Sequence, residues 1–171
     1  AVLAVIVGVT VVIMSRADKT SNSTVGSSEY SFGYGDPDAP HTVVIYEDFL
    51  CPVCQAFEDL TGDTLTQAAD DGKAYIEYRP FELLSQFGPY SSQAANAFRA
   101  VWQESGDAEA KKMHDLLFAQ QPPEEGPFPD AEWLIDRAVA AGAEEDAVRS
   151  AIEDETFMDW VDDATQDALD V

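Results

Sequence analysis

Residues 41–54 read HTVVIYEDFLCPVC, a short apolar strand pattern that runs directly into two cysteines separated by two residues. Every position from Val43 to Tyr46 is apolar or aromatic, so both faces of the strand are apolar. This pattern is typical of a strand in the middle of a sheet that is covered on two sides. The sequence therefore predicts a central strand over 41–47, with the cysteines just beyond its carboxyl end.

A helix is predicted to begin at the cysteines. Pro52 suits the first helical position because its fixed φ fits a helix and its missing N–H has no helical partner there. Asp71-Gly72 ends the helix, and residues 74–79 (AYIEYR), closed off by Pro80, form a second strand. A strand, a helix and a strand in succession predict a βαβ unit over residues 41–80, with parallel strands.

The rest of the chain is predicted to be helical, in an insertion over residues 88–171. Apolar residues recur at helical spacing near Ser91–Glu104 and Asp107–Gln120, and QPPEEGPFP then interrupts the pattern. Two or three further helices follow. The predicted fold class is α/β, within one domain over residues 32–171.

The chain begins with an apolar run, AVLAVIVGVTVVIM (residues 1–14). A membrane-spanning helix needs roughly 20 residues, so we expect a partial transmembrane anchor completed upstream, or the apolar region of a secretory signal. Residues 15–31 are rich in Ser and Thr and are predicted to be a flexible linker. The expected location is the cell membrane, with a single N-terminal anchor and an extracytoplasmic domain, or secretion after signal cleavage.

The chain is strongly acidic, with 33 Asp and Glu against nine Lys and Arg and a formal net charge of −24. Such a surface repels phosphate backbones, so nucleic acid is excluded as a partner. A well-solvated surface and adaptation to high salt both explain the acidity.

The two cysteines are the residues whose spacing and position most clearly indicate a chemical function. A cysteine at a helix N-terminus faces unpaired N–H groups and the positive end of the helix dipole, which favour a nucleophilic thiolate. We therefore expect Cys51 to be the exposed, acidic thiol. Cys54 lies one turn further along, buried, where it can attack a mixed disulfide formed at Cys51.

Two other uses of the cysteines are a metal site and a structural disulfide. A zinc site needs four ligands, but only His41 and His114 remain to supply nitrogen, and neither stands at a ligand spacing, so no metal is predicted. Both histidines are expected to be surface or boundary residues. A purely structural disulfide is seldom placed at a helix start behind an apolar strand.

The run YEDFLCPVC (residues 46–54) resembles the active-site segment of DsbA-like proteins. The lead-in GDPDAP (residues 35–40) and YRPF at the end of the second strand (residues 78–81) are also similar. The resemblance implies a thioredoxin-like fold with a helical insertion, and thiol–disulfide exchange on exported protein substrates. It implies no bound cofactor, but a membrane or soluble redox partner that recycles the cysteines.

Three features depart from that family. Val53 stands where the best-known oxidase has His, and Ile45 stands where relatives carry a buried acid; Glu47, on the same strand face, can substitute for that acid. The Thr-Pro loop that faces the cysteines in the family is absent. We therefore expect the C-terminal strands and helix to be missing, and residues 42–47 to present an unpaired edge.

The predicted function is that of a thiol–disulfide oxidoreductase, with Cys51 and Cys54 catalytic and with Pro52, Val53 and Glu47 tuning the redox poise. Disulfide reduction or isomerisation by the same fold is one alternative. The other is a non-catalytic, membrane-anchored binding domain with a structural disulfide.

Overall fold

The computed structural model describes the backbone of residues 10–15 and the chain over residues 28–170. Most of the predicted anchor (1–14) and of the predicted linker (15–31) lies outside these residues. The described strands form one four-stranded sheet in the order β1-β3-β4-β2.

The centre of the sheet is the predicted βαβ unit. Strands β3 (His41–Glu47) and β4 (Ala74–Pro80) are parallel, in a register that opposes Val43 to Ile76. Helix α1 (Pro52–Asp70) connects them, with its N-cap and C-cap at the predicted residues. The predicted unit, its parallel pairing and its helix boundaries are confirmed.

Strand β2 (Phe32–Tyr34) lies antiparallel to β4 on one edge of the sheet. The sequence pattern had indicated only turns here, because three residues are too few to show a strand periodicity. A Cβ at Gly33 would collide with the hydroxyl end of the Tyr75 ring, so a larger residue there would have to displace Tyr75. The glycine thus indicates a close approach within the sheet rather than a turn.

Strand β1 (Thr10–Ser15) lies antiparallel to β3 on the opposite edge, with Thr10 opposite Tyr46 and Ser15 opposite His41. The expectation that residues 42–47 have an unpaired edge is therefore wrong. The TVVI run at the start of β1 is β-branched, which favours a strand, and β3 offers unpaired N–H and C=O groups along its edge. A short apolar run does not by its periodicity distinguish a strand from a helix.

Five helices and a short 3-10 turn make up the rest of the described chain. The first two helices match the predicted ones to within two residues, and three more follow the predicted break. Within the described residues, none of the helices has both the length and the apolar character needed to cross a membrane. The elements are the 3-10 turn Ser85–Phe87, α2 (Tyr90–Ser105), α3 (Asp107–Ala119), α4 (Ala131–Ala141), α5 (Glu145–Glu153) and α6 (Met158–Leu169).

The sheet buries apolar side chains on both faces, as the continuous apolar run along β3 predicted. Val43 and Ile45 belong to the large core shared with the helices. Val44 and Tyr46 face the other way, into a smaller cluster with Phe81. The active-site strand is therefore held from two sides, and its carboxyl end is fixed in position.

The pairing of β1 with β3 predicts what removal of the N-terminal residues should do. A chain that starts at Ser28 exposes the edge of β3, which is a template for association. We expect a lower melting temperature and concentration-dependent oligomers, measured by thermal unfolding and light scattering. A chain that starts at Thr10 keeps β1 and is the matched control. Equal melting temperatures and monomeric behaviour of both chains would contradict the pairing.

Candidate active site

The active site begins where β3 ends and α1 starts. Cys51 is the N-cap of α1, with extended backbone angles (φ −75°, ψ 117°), and Pro52 occupies the first helical turn. The Cys51 N–H donates to the carbonyl of Asp48 (2.9 Å), and the Cys51 carbonyl accepts the first helical hydrogen bond from Gln55 (3.0 Å). A tight turn therefore delivers Cys51 directly to the helix N-terminus.

The two thiols have opposite acidities. The hydrogen bond from the Cys54 thiol, helped by the N–H groups of Cys54 and Val53, outweighs burial and lowers the pKa of Cys51 to about 7. The same hydrogen bond, burial and the negative charges of Cys51 and Glu47 raise the pKa of Cys54 above its usual range. Near neutral pH, a large fraction of Cys51 is thus present as the thiolate, while Cys54 stays a thiol.

Both cysteines are buried, with 4% of the surface of Cys51 and 1% of that of Cys54 accessible to solvent. The expectation that Cys51 is exposed is therefore wrong. Gln121, just beyond α3, donates to the carbonyls of Phe49 (3.0 Å) and Cys51 (3.1 Å) and brings the helical region against the active-site turn. Pro52 is exposed and Val53 is 45% exposed. The solvent-accessible surface of the Cys51–Cys54 segment therefore consists of Pro52 and Val53.

Asp48 fixes the turn before the cysteines. Its buried carboxylate accepts hydrogen bonds from the N–H of Leu50 (2.7 Å), the N–H of Leu84 (2.7 Å) and the hydroxyl of Ser91 (2.6 Å). Burial raises the pKa of Asp48, while these donors act in the opposite direction. This role of Asp48 was not predicted from the sequence. The local pattern that indicates it is an Asp whose side chain caps the backbone N–H two residues on, at Leu50.

A buried charged network lies behind the cysteines, where the sequence analysis had expected a surface histidine. His114 is 1% exposed, and its Nε2 lies 2.6 Å from Oε1 of Glu47, while its Nδ1 lies 2.9 Å from Oδ1 of Asp115. Glu47 is equally buried. His114 lies on the apolar face of an amphipathic helix, beside Met113 and Leu117. That position indicates a buried histidine rather than a surface one.

The network holds His114 in its charged form. Burial alone would lower the pKa of His114, but the charge of Glu47 and the hydrogen bonds to Asp115 and Glu47 raise it to about 10. Glu58, on α1, faces the same cluster, and burial next to the negative Glu47 raises its pKa to about 7.

Among residues 28–170, one group of His, Cys, Asp and Glu side chains has ligand atoms close enough to hold a metal ion. It consists of Glu47, Glu58 and His114, whose ligand atoms lie within 4.8 Å of one another. The cysteines are not part of it. His41 lies apart, exposed at the start of β3.

Comparison of the sequence with protein-family models agrees with the fold and with the cysteine pair at the start of the helix. The family model described as thioredoxin matches residues 27–170, most of the chain. The chain is a DsbA-like member of the thioredoxin family.

Solved structures of DsbA-like proteins resemble the chain over most of its length. Disulfide bond oxidoreductase DsbG from Mycobacterium tuberculosis is 32% identical, with 80% of this chain and 68% of that chain covered and a TM-score of 0.68. DsbA from the same organism is 28% identical, with 94% and 77% covered and a TM-score of 0.66. BdbD from Bacillus subtilis is 26% identical, with 78% and 71% covered and a TM-score of 0.68. No curated protein matches the chain.

Within this DsbA-like site, the structure brings together all five residues singled out from the sequence. Pro52 and Val53 form the exposed tip between Cys51 and Cys54, and Glu47 lies buried behind them, close enough for its charge to act on Cys54. The residues that sequence reasoning missed are Asp48, Glu58, His114 and Gln121.

The contact between Asp48 and Ser91 predicts a stability effect. Ser91→Ala removes a hydrogen bond to a buried carboxylate, and we expect the free energy of unfolding to fall by about 1–3 kcal/mol. Urea unfolding measures the change. Ser92→Ala is the matched control, because the Ser92 hydroxyl contacts the Pro89 carbonyl (3.1 Å) and the partly buried Glu82 carboxylate but not Asp48. If the two variants lose the same stability, Asp48 does not anchor the turn.

Proposed function

We propose that this DsbA-like protein catalyses dithiol–disulfide exchange on exported proteins, with Cys51 as the nucleophile and Cys54 as the resolving thiol. The observation that carries the proposal is the opposite acidity of the two thiols at the start of α1. A thiolate is both the better nucleophile and the better leaving group, so exchange with substrates is directed to Cys51.

In the oxidising direction, the reaction starts from the Cys51–Cys54 disulfide. A substrate thiolate attacks the sulfur of Cys51, the Cys51–Cys54 bond breaks, and Cys54 leaves with the electron pair and takes up a proton. A second substrate thiolate then attacks the substrate sulfur of the mixed disulfide and releases Cys51 as a thiolate. The substrate has lost two electrons and the enzyme has gained them, so a redox partner must accept them to restore the disulfide.

The reducing direction begins from the Cys51/Cys54 dithiol. The Cys51 thiolate attacks a substrate disulfide and expels one substrate thiolate. Cys54 then loses its proton and attacks Cys51, which releases the second substrate thiol and closes the Cys51–Cys54 disulfide. Electrons pass between sulfur atoms throughout, so the reaction needs no bound cofactor.

Three neighbours are proposed to set the redox poise. Pro52 fixes the start of the helix, and Val53 offers an apolar contact surface but no hydrogen-bond donor to the Cys51 thiolate. The negative charge of Glu47 favours the protonated form of Cys54. Because Val53 leaves the thiolate without an added donor, disulfide reduction or isomerisation is the second candidate function.

The proposed setting is outside the cytoplasm, where disulfides of exported proteins form and persist. Attachment to a membrane through residues 1–14 stays a prediction from the sequence. Residues 10–14 are paired with β3 in the structure. An anchor would therefore use the chain before Thr10, or would require this pairing to open.

The roles of the two cysteines can be separated by trapping. Cys54→Ser removes the resolving thiol, so mixed disulfides formed at Cys51 should accumulate, whereas Cys51→Ser should trap at least tenfold less. Each variant is incubated with a disulfide-containing substrate. Mixed disulfides are then detected on non-reducing gels and identified by mass spectrometry. Equal trapping by the two variants would overturn the assignment, and no trapping by either would favour a non-catalytic domain.

Val53 is expected to make the protein a milder oxidant. Val53→His adds a charge-assisted donor beside Cys51, so the pKa of Cys51 should fall and the reduction potential should rise by on the order of 10–30 mV. Equilibration with glutathione buffers measures the potential, and alkylation rates against pH measure the pKa. Val53→Leu keeps an apolar side chain and should match the parent. An unchanged potential in Val53→His would show that this position does not tune the pair.

A further inference from the structure

Behind the cysteine pair, three potential metal ligands converge from three separate elements. Glu47 comes from the end of β3, Glu58 from α1 and His114 from α3, and their ligand atoms lie within 4.8 Å of one another. Their convergence depends on the packing of the helical region against the βαβ unit. None of the thiol chemistry described above requires all three.

We propose that Glu47, Glu58 and His114 form a binding site for one divalent cation of the zinc type, with His114 Nε2 and one oxygen of each carboxylate as ligands. One imidazole and two carboxylates are a donor set that Zn²⁺ accepts, with its fourth position left to water.

The orientation of His114 fits this role. Its Nδ1 lies 2.9 Å from Asp115, and its Nε2 points into the cluster toward Glu47. Histidine ligands of metals almost always donate their second ring N–H to a carboxylate or carbonyl, which fixes the tautomer and the ring plane. Asp115 therefore occupies the supporting position that a metal-binding histidine needs.

Two carboxylate oxygens in the cluster lack a hydrogen-bond partner among the residues that the structure describes. They are Oε2 of Glu47 and Oε1 of Glu58, and both atoms are buried. Glu47 itself is almost wholly inaccessible. Buried polar atoms are normally hydrogen-bonded, and a buried carboxylate oxygen without a partner is costly. A cation between the two carboxylates would satisfy both oxygens.

The local charges also balance with a divalent ion. The ammonium group of Lys111 lies 2.7 Å from Asp115, and its positive charge also acts on Glu58. When a divalent cation displaces the proton from His114 Nε2 and keeps Glu58 ionised, the cation and Lys111 together balance the negative charges of Glu47, Glu58 and Asp115. The rings of Tyr34 and Tyr78 also face Lys111 and supply no further positive charge.

Glu58, one of the three proposed ligands, borders a cleft that is open to solvent. This cleft of about 320 Å³ is lined by Glu58, Asp59, Asp63, Lys111 and Asp115, so its mouth is predominantly acidic and attracts cations. Ligands around a tetrahedral zinc ion lie roughly 3.3 Å apart. The 2.6 Å contact between Glu47 and His114 must widen by less than 1 Å to admit the ion.

Zinc binding should be measured in a full-length Cys51→Ser/Cys54→Ser background, so that the thiols cannot act as ligands. After removal of metals with a chelator, titration calorimetry with Zn²⁺ should show one saturable site, and Zn²⁺ should raise the melting temperature. Adding Glu58→Gln or His114→Gln should weaken binding at least tenfold. Asp59→Asn, in the same cleft but outside the ligand set, should change affinity by less than twofold.

Glu58→Gln is the decisive variant because Glu58 is only half-buried and its loss should leave the fold intact, which circular dichroism checks. Co²⁺ in place of Zn²⁺ should give the intense visible absorption of a four-coordinate site, lost in Glu58→Gln. The proposal is overturned if no saturable binding occurs. It is also overturned if Asp59→Asn weakens binding as much as Glu58→Gln, which would mean diffuse attraction of cations to an acidic cleft.

Discussion

Two neighbouring strands can run parallel only when the chain between them crosses back along the sheet. In this protein α1 makes that crossing between β3 and β4, so its first turn must start where β3 ends. The cysteine pair occupies this junction. Cys51 consequently meets the unpaired N–H groups of the helix, while Cys54 faces the core one turn later. The redox asymmetry of the pair is thus a consequence of the strand pairing.

The helical region holds this junction from two sides. Leu84 and Ser91 donate to the carboxylate of Asp48, before the cysteines. Gln121 donates to the carbonyls of Phe49 and Cys51, around the nucleophile itself. These bonds satisfy polar groups that the tight turn would otherwise leave buried without partners. The same contacts explain why Cys51 is covered although it lies at the end of a helix.

The distribution of positive charge is unusual for so acidic a chain. With a net charge of −24, its few cationic groups would be expected on the surface, yet Arg79, Lys111 and His114 are all buried. Each faces a carboxylate; Arg79, for example, lies 2.6 Å from Glu77. A buried carboxylate is strongly destabilising unless it is paired, whereas a solvated one is not. Arg79 and His114 are therefore placed beside buried carboxylates, Glu77 and Glu47, where negative charge would cost most.

The sequence by itself determined the features that depend on near neighbours. The continuous apolar run along β3, a proline after Cys51 and a glycine after α1 were sufficient for the βαβ unit, the helix boundaries and the order of thiol acidities. Only the tertiary structure decided the pairing of β1, the cover over Cys51 and the burial of His114. The partners in these contacts are distant in sequence: Gln121 lies 72 residues from Phe49, and His114 lies 67 residues from Glu47. A periodicity shows which face of a helix is apolar, but not which charged group another element will bring to it.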